Sequence, residues 1–427
     1  MTNHDLAGRR QEWSLVCARC GGIFDLGPLV FGCPACASDG LQSVLDLRFR
    51  PRHPPTPLAA RAGAAGLCRY LDLLPGGEAD DWVSLGEGGT NLQRSRIIGP
   101  RLGLEALYFK NETTNPTWSF KDRYVAVTVN VARRFGYRRV VVSSTGNLGV
   151  SVAAYAAAAG MDCLFIALPR TARPIVDQAR LHGARVVITR PESRQEVFEH
   201  CARHEDWFPV GLFLDRPVQN PFGIEGYKTF AYEMIDDLGR APAAVLFPCA
   251  RGNGLYGAWK GFREALEWGW AAAAPAMVGC QPEGANSLEV SLRQGAERAV
   301  ELPRIESVAV SAAETIADDH ALAAIRESGG DALSVSDQEI LAAARELGRE
   351  GLCVEASSAL PVACLPRLVE SRRFDPAAPV VCVLTAAGIK WPAHLDLGGP
   401  PIDEVENDAG VVDAYLAAFG KGRNGRG

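Results

Sequence analysis

The sequence predicts an α/β protein of two lobes, with parallel-rich sheets flanked by helices and a small metal-binding module at its N-terminus. Three observations lead there. The chain has 427 residues, more than one hydrophobic core usually serves. Short β-branched runs alternate with amphipathic stretches from about residue 105 onward. Two Cys-x-x-Cys knuckles stand close together near the start. Apolar residues at 47% and charged residues at 22% belong to an ordinary globular chain. The formal net charge of -6 points away from nucleic acid or an anionic membrane surface as the main partner.

The knuckles come first in the chain. Cys17 and Cys20 are followed after twelve residues by Cys33 and Cys36, with Gly21, Gly22, Gly32 and Pro34 supplying tight turns. This is the spacing of a zinc ribbon, and four cysteines leave no ligand position open, so a structural zinc is expected over residues 1–45. The other eight of the 12 cysteines lie singly, as at Cys163, Cys280 and Cys382, and read as buried thiols in a reducing compartment. The first apolar stretch, WSLVCARC, lies between Glu12 and Gly21 and contains Arg19. It is too short and interrupted for a signal peptide or a membrane span. A cytoplasmic protein with no membrane partner is expected.

RFRPRHPPTPLAA follows, where prolines block regular structure and arginines keep the segment solvated, so a linker is expected from about 46 to 60. Beyond it, RVVVSS precedes GVSVAAYAAAAG, CLFIALP precedes PIVDQARLHG, and RVVIT precedes ESRQEVFEHCARH. Apolar runs of four to seven residues, each followed by a helical period, mark β-α units on a buried parallel sheet. AAVLFPC, MVGCQPEG and VVCVLTAAG continue the pattern. Such sheets bind ligands at the carboxyl ends of their strands, so the loops there carry the functional question.

Three loops stand out. In NETTNPTWSFKDRYV, Asn115, Pro116 and Thr117 form a turn and Ser119 can cap a helix starting near Phe120. Lys121 then lies in the first turn, where the positive helix end opposes a cation and lowers the amine's proton affinity. A solvated surface lysine is the plain alternative for any lone lysine. In VVVSSTGNLGVSV, a strand ends at Ser143 and Ser144 and a helix begins after Asn147; Ser144, Thr145, Gly146 and Asn147 offer backbone N–H groups to a carboxylate. A capping turn without a ligand would look the same. In VLFPCARGNGLYG, Gly252, Asn253 and Gly254 separate a strand ending near Pro248 from a helix starting near Leu255, a geometry that lets backbone approach a phosphate.

Together these loops resemble the tryptophan-synthase-β, or fold type II, class of pyridoxal-phosphate enzymes, and most nearly its threonine synthase branch. NPTWSFKDR is similar to that branch's NPTGSFKDR, SSTGN to its asparagine loop, and LTAAGIK to its LTGHGLK. LGEGGT at Leu85–Thr90, EASSA at Glu355–Ala359 and GCQPEGA at Gly279–Ala285 are further likenesses, in family order. The resemblance implies pyridoxal 5'-phosphate carried by Lys121, with Asn147 at the pyridine hydroxyl and Thr385 at the pyridine nitrogen. It implies a phosphate cradle at Gly252, Asn253 and Gly254, and a substrate carboxylate on Ser144 and Thr145. It also implies a smaller α/β domain at 121–230, a large cofactor-binding domain at 46–120 and 231–427, and a homodimer.

The departures fall beside these residues. Trp118 replaces a small residue, Ala250 and Arg251 stand where glycine is common, Asn91 replaces a proline and Ala387 a histidine. Trp118 is expected to fill space on the substrate side, and Arg251 to clamp either a phosphate or an acidic substrate, unless it is simply solvent-facing. The implied activity is elimination and replacement on an amino acid, O-phosphohomoserine giving threonine and phosphate. Alternatives are β-replacement or β-elimination on O-phosphoserine, serine or threonine, as in cysteate synthase-like or dehydratase-like enzymes, and a non-catalytic scaffold whose ribbon binds a partner. The lysine at a helix start argues against the last.

Overall fold

The computed structural model describes residues 12–38, 43–51, 53, 55, 56, 58, 61, 63–76, 79–211 and 220–391. The cysteine-bearing segment forms a three-stranded antiparallel sheet of β1 (Trp13–Cys17), β2 (Ile23–Asp25) and β3 (Leu45–Phe49), in the order β2-β1-β3. The linker expected from residue 46 therefore starts later. Residues 46–49 pair with β1 along its length, because Leu45 and Leu47 alternate with Asp46 and Arg48 in the two-residue period of a strand. The prolines that obscured this period begin only at Pro51.

The remaining strands form two sheets. One has β4 (Leu92–Arg94), β5 (Leu107–Asn111), β10 (Ala244–Pro248), β11 (Ala276–Pro282), β12 (Asp331–Val335) and β13 (Val380–Leu384), in the order β12-β11-β10-β13-β5-β4. Only β4 runs antiparallel. The other is wholly parallel, with β6 (Arg139–Ser143), β7 (Asp162–Ala167), β8 (Arg185–Ile188) and β9 (Trp207–Pro209) in the order β8-β7-β6-β9. The α/β class with parallel-rich sheets is thus observed. β11 and β13 are buried at every position, as strands between two helical layers must be, which is why their sequences are unbroken apolar runs. No helix among the described residues is long and apolar enough to cross a membrane.

The helix at Lys121–Arg134, here the lysine helix, lies deep in this framework, with every residue from Asp122 to Ala132 buried. It crosses the helix at Pro221–Tyr227 so closely that a Cβ on Gly226 would sit 2.0 Å from the Arg123 carbonyl oxygen. Arg123 is wholly buried and forks onto two carboxylates. Its Nε lies 2.8 Å from Glu112 Oε2, and its Nη1 and Nη2 lie 2.6 and 2.7 Å from the two oxygens of Glu233. Lys110 Nζ adds a contact to Glu233 at 2.8 Å, so two cations face two carboxylates. Burial alone would raise the Glu233 pKa, but Arg123 and Lys110 hold it well below the usual carboxylate range.

Removing one member of such a cluster leaves an uncompensated buried charge, which costs about 3–5 kcal/mol. Arg123→Met should therefore lower unfolding free energy by about that amount in urea titrations. A loss below about 1 kcal/mol, the size of an exposed ion pair, would show that the carboxylates are hydrated.

Candidate functional site

Three strand-to-helix loops meet at one cavity of about 200 Å³, roughly fifteen times the space one water needs. The first is the lysine loop. Ser119 bridges to Ala386, Phe120 N donates to Thr385 O at 2.8 Å, and Ala387 N donates to Trp118 O at 3.0 Å. These bonds fasten the loop to the end of β13. Ser119 Oγ accepts from Lys121 N at 3.2 Å, and the helix starts at Lys121 itself. Asp122 accepts from Thr117 N and Oγ1 at 2.7 and 2.5 Å and from Ser151 Oγ at 2.5 Å, so its carboxylate closes the turn. Burial pushes the Asp122 pKa up to about 6 despite those bonds.

Lys121 lines the cavity, its Nζ 4.3 Å from the Phe120 ring centroid. Burial pushes its amine down to about 8, against the opposing charges of Glu355 and Glu314. The sequence expected a depressed amine from the helix end and some desolvation; the amine is depressed, and burial is the cause that lowers it.

At the second loop the helix runs Asn147–Ala158. Gly146 N donates to Ser144 Oγ at 3.1 Å, and Asn147 Nδ2 donates to Glu355 Oε2 at 3.1 Å. At the third, Gly252 has φ 90° and the glycine-loop helix runs Asn253–Glu267. A Cβ on Gly252 would lie 2.3 Å from Ala321 Cβ, and one on Gly254 2.5 Å from the Phe247 ring and 2.9 Å from Phe120. Glycine is needed at both places because the lysine loop and a second helix press against this backbone.

The cavity gathers Lys121, Ser144, Thr145 and Asn147 with Arg251, Gly252, Asn253, Gly254 and Thr385. Trp118 stands apart, 44% exposed and absent from the cavity lining. Arg194, Asn220, Tyr227, Asp318 and Glu355 also line the cavity but were not given site roles from the sequence. Glu355 had a motif signal in EASSA, whereas Arg194 lies inside an amphipathic helical run, where an arginine carries no distinguishing local mark.

Two observations test whether pyridoxal phosphate fits. Asn147 Oδ1 and Asn253 Oδ1 are buried without a hydrogen-bond partner among the described residues, a state that a polar ligand would relieve. Gly252 and Gly254 leave a backbone cradle at the positive end of a fifteen-residue helix, suited to a phosphate. Thr385 presents a neutral hydroxyl, 2.8 Å from Ser358 Oγ.

The cysteines pass a similar test. All four Sγ atoms lie within 4.8 Å of one another, with Cys17 to Cys36 at 3.7 Å and Cys20 to Cys33 at 3.8 Å. A tetrahedron with Zn–S bonds of about 2.3 Å has edges of about 3.8 Å, so the sulfurs are compatible with zinc.

Residues 83–386 match the family described as pyridoxal-phosphate dependent enzyme. The chain is 32% identical to the threonine synthase of Methanocaldococcus jannaschii, over 94% of this chain and 98% of that one. It is 35% identical to the threonine synthase of Mycobacterium tuberculosis, over 81% and 94%. Among solved structures, threonine deaminase isoform 2 of Solanum lycopersicum in its processed form aligns with a TM-score of 0.63 at 21% identity, over 82% of this chain and 99% of that one. Maize serine racemase aligns with a TM-score of 0.61 at 17% identity, over 78% and 93%. At these identities the two structures speak to the fold alone.

Trp118 holds φ 60°, a left-handed conformation that costs a bulky residue about 1–2 kcal/mol. Trp118→Gly should accordingly raise unfolding free energy by about 1 kcal/mol in urea titrations; a lower midpoint would mean that indole packing outweighs the strain. Metal analysis of the purified protein should find about one zinc per chain, and none once Cys17, Cys20, Cys33 and Cys36 are replaced by serine. Unchanged zinc content in that variant would place the ion elsewhere.

Proposed function

The chain belongs to the pyridoxal-phosphate dependent enzyme family, as a fold type II lyase, and from that premise we propose a threonine synthase-like reaction converting O-phosphohomoserine to threonine and phosphate. The observation that carries the reading is Lys121, a desolvated amine at a helix start that lines one cavity together with the glycine loop and Thr385. Gly252, Asn253 and Gly254 would hold the cofactor phosphate, Asn147 the pyridine hydroxyl and Thr385 the pyridine nitrogen. Pyridoxal phosphate, when bound, spreads the negative charge left on an amino acid's α-carbon as its proton departs.

The protein's own groups do the rest. Lys121 is the base for that proton: a lysine amine at about 8 is partly neutral near pH 7 and can both take and return it. Ser144 and Thr145, at the positive end of the Asn147–Ala158 helix, orient the substrate carboxylate. Arg251, on the wall that also carries the glycine loop, suits an anionic group on the substrate or the cofactor. Thr385 cannot give the ring nitrogen a full positive charge, which favours elimination and replacement. Zinc on the four cysteines would be structural, since no coordination position is left for substrate.

Borohydride should fix the cofactor on Lys121, and Lys121→Ala should lose both that product and turnover; reduction onto another lysine would overturn the assignment. Phosphate release from O-phosphohomoserine, set against O-phosphoserine, serine and threonine, separates the proposed reaction from β-chemistry. Capture of pyridoxal phosphate by cofactor-free enzyme needs the neutral amine. Its rate should rise about tenfold per pH unit up to about pH 8 and then level off. A break near pH 10.5 would mean that the amine is not desolvated.

A further inference from the structure

We infer that Asp46, on β3 of the cysteine-bearing sheet, is a positioning residue for the glycine-loop helix and so for cofactor affinity. The inference rests on the reading of Gly252–Gly254 as the phosphate cradle.

Asp46 Oδ1 accepts from Lys260 Nζ at 2.9 Å, and Tyr256 lies near enough to the carboxylate to help hold its pKa down. Both partners lie on the glycine-loop helix, Tyr256 three residues after Asn253 and Lys260 one turn further, so they share a face. Lys260 Nζ is held as well by the Leu47 carbonyl of the same strand and by Glu225 Oε1 at 2.5 Å. The carboxylate thus grips the second turn of the helix whose start forms the cradle, with Tyr256 of the first turn beside it.

The contacts close around the loop. Tyr256 stacks on His320 with ring centroids 4.5 Å apart. His320 belongs to the helix at Asp319–Glu327, whose Ala321 is the neighbour that forbids a Cβ at Gly252. Asp318 N, just before that helix, donates to Arg251 O at 2.8 Å. The far end is gripped too, because Phe49, the last residue of β3, meets Trp268 edge-on at 6.3 Å just past the helix end.

A buried ion pair is weak evidence for stability, because apolar residues of like volume would often serve as well. Its distinctive contribution is orientation, through charge-assisted bonds whose geometry is fixed. Here those bonds fix the direction of a helix whose N-terminal N–H groups must meet a phosphate. Because β3 pairs residue by residue with β1 as far as Cys17, the cysteine cluster holds Asp46 in register.

The test uses the full chain, depleted of cofactor and then reloaded. Asp46→Ala should weaken pyridoxal phosphate binding roughly ten- to a hundredfold, read by fluorescence titration after dialysis. Zinc content should stay at wild-type level, and turnover at saturating cofactor near normal. Tyr256→Phe, which deletes one hydroxyl, should weaken binding several-fold, and the double variant should lose less than the product of the two single losses. Should Asp46→Ala fail to fold, Tyr256→Phe decides alone. A lower melting temperature with unchanged cofactor affinity in either variant overturns the inference. Wild-type protein that takes up no pyridoxal phosphate would overturn the proposed function and this inference with it, an outcome distinct from an affinity that Asp46 does not affect.

Discussion

The site depends on the buried fork of Arg123 between Glu112 and Glu233. Arg123 stands two residues after Lys121, so whatever fixes its guanidinium fixes the first turn of the lysine helix. The two carboxylates come from different places, Glu112 from the turn after β5 and Glu233 from the helix at Thr229–Leu238. They also bind the loop that precedes β4: Thr90 Oγ1 donates to Glu112 Oε1 at 2.5 Å, and Gly89 N donates to Glu233 Oε1 at 2.8 Å. Bidentate geometry leaves little freedom to rotate. Segments distant in sequence are thereby tied to the lysine helix two residues past Lys121.

Charge around Lys121 is distributed differently. Lys121 and Lys390 are both pushed down to about 8 by burial, and Glu355 opposes the shift in both. Lys390 Nζ donates to Thr117 O at 2.5 Å, which anchors the turn before the lysine. Asp122, the nearest carboxylate in sequence, has its oxygens occupied by Thr117 and Ser151. It closes the turn rather than pairing with Lys121, and a close ion pair there would have kept the amine protonated. The depressed amine follows from burial combined with a carboxylate assigned elsewhere.

Lys121, Asn147 and Gly252 could be picked out in the sequence because each sits in a short loop at a helix start whose residue types are locally unusual, whereas Thr385 was legible only through the resemblance of LTAAGIK to a family motif. The β-α alternation was legible for the same reason, since period and length are local properties. What the sequence hid is set by distant segments. Arg194, Asn220 and Tyr227 reach the cavity only through the packing of other elements. Trp118 could be seen as large but not as left-handed, and it is the backbone conformation that makes a small residue the natural occupant there. β3 was hidden by its neighbours, because five residues of clean alternation run directly into a proline-rich segment.

The true end of β3 changes what the cysteine-bearing sheet is. Strands of three to five residues cannot bury enough apolar surface to stand alone. A metal would supply part of the missing stability. The other part is visible in the packing: Trp13, Leu15 and Leu47 belong to the same buried cluster as Tyr232 and Leu255 of the body. Trp13 and Phe49 stack at 4.5 Å, with Lys228 Nζ 5.3 Å from the Trp13 ring. Lys228 in turn pairs with Glu225 at 2.7 Å and Glu264 at 2.9 Å. Apolar contact of this kind would tolerate a small slide of the sheet over the body, since hydrophobic burial is not directional. The Lys260–Asp46 ion pair, which joins the body to β3 at 2.9 Å, would not, because a short N–H···O bond fails within a fraction of an ångström. The mixed interface therefore sets a register as well as an affinity, and the register is passed to helices that border the site.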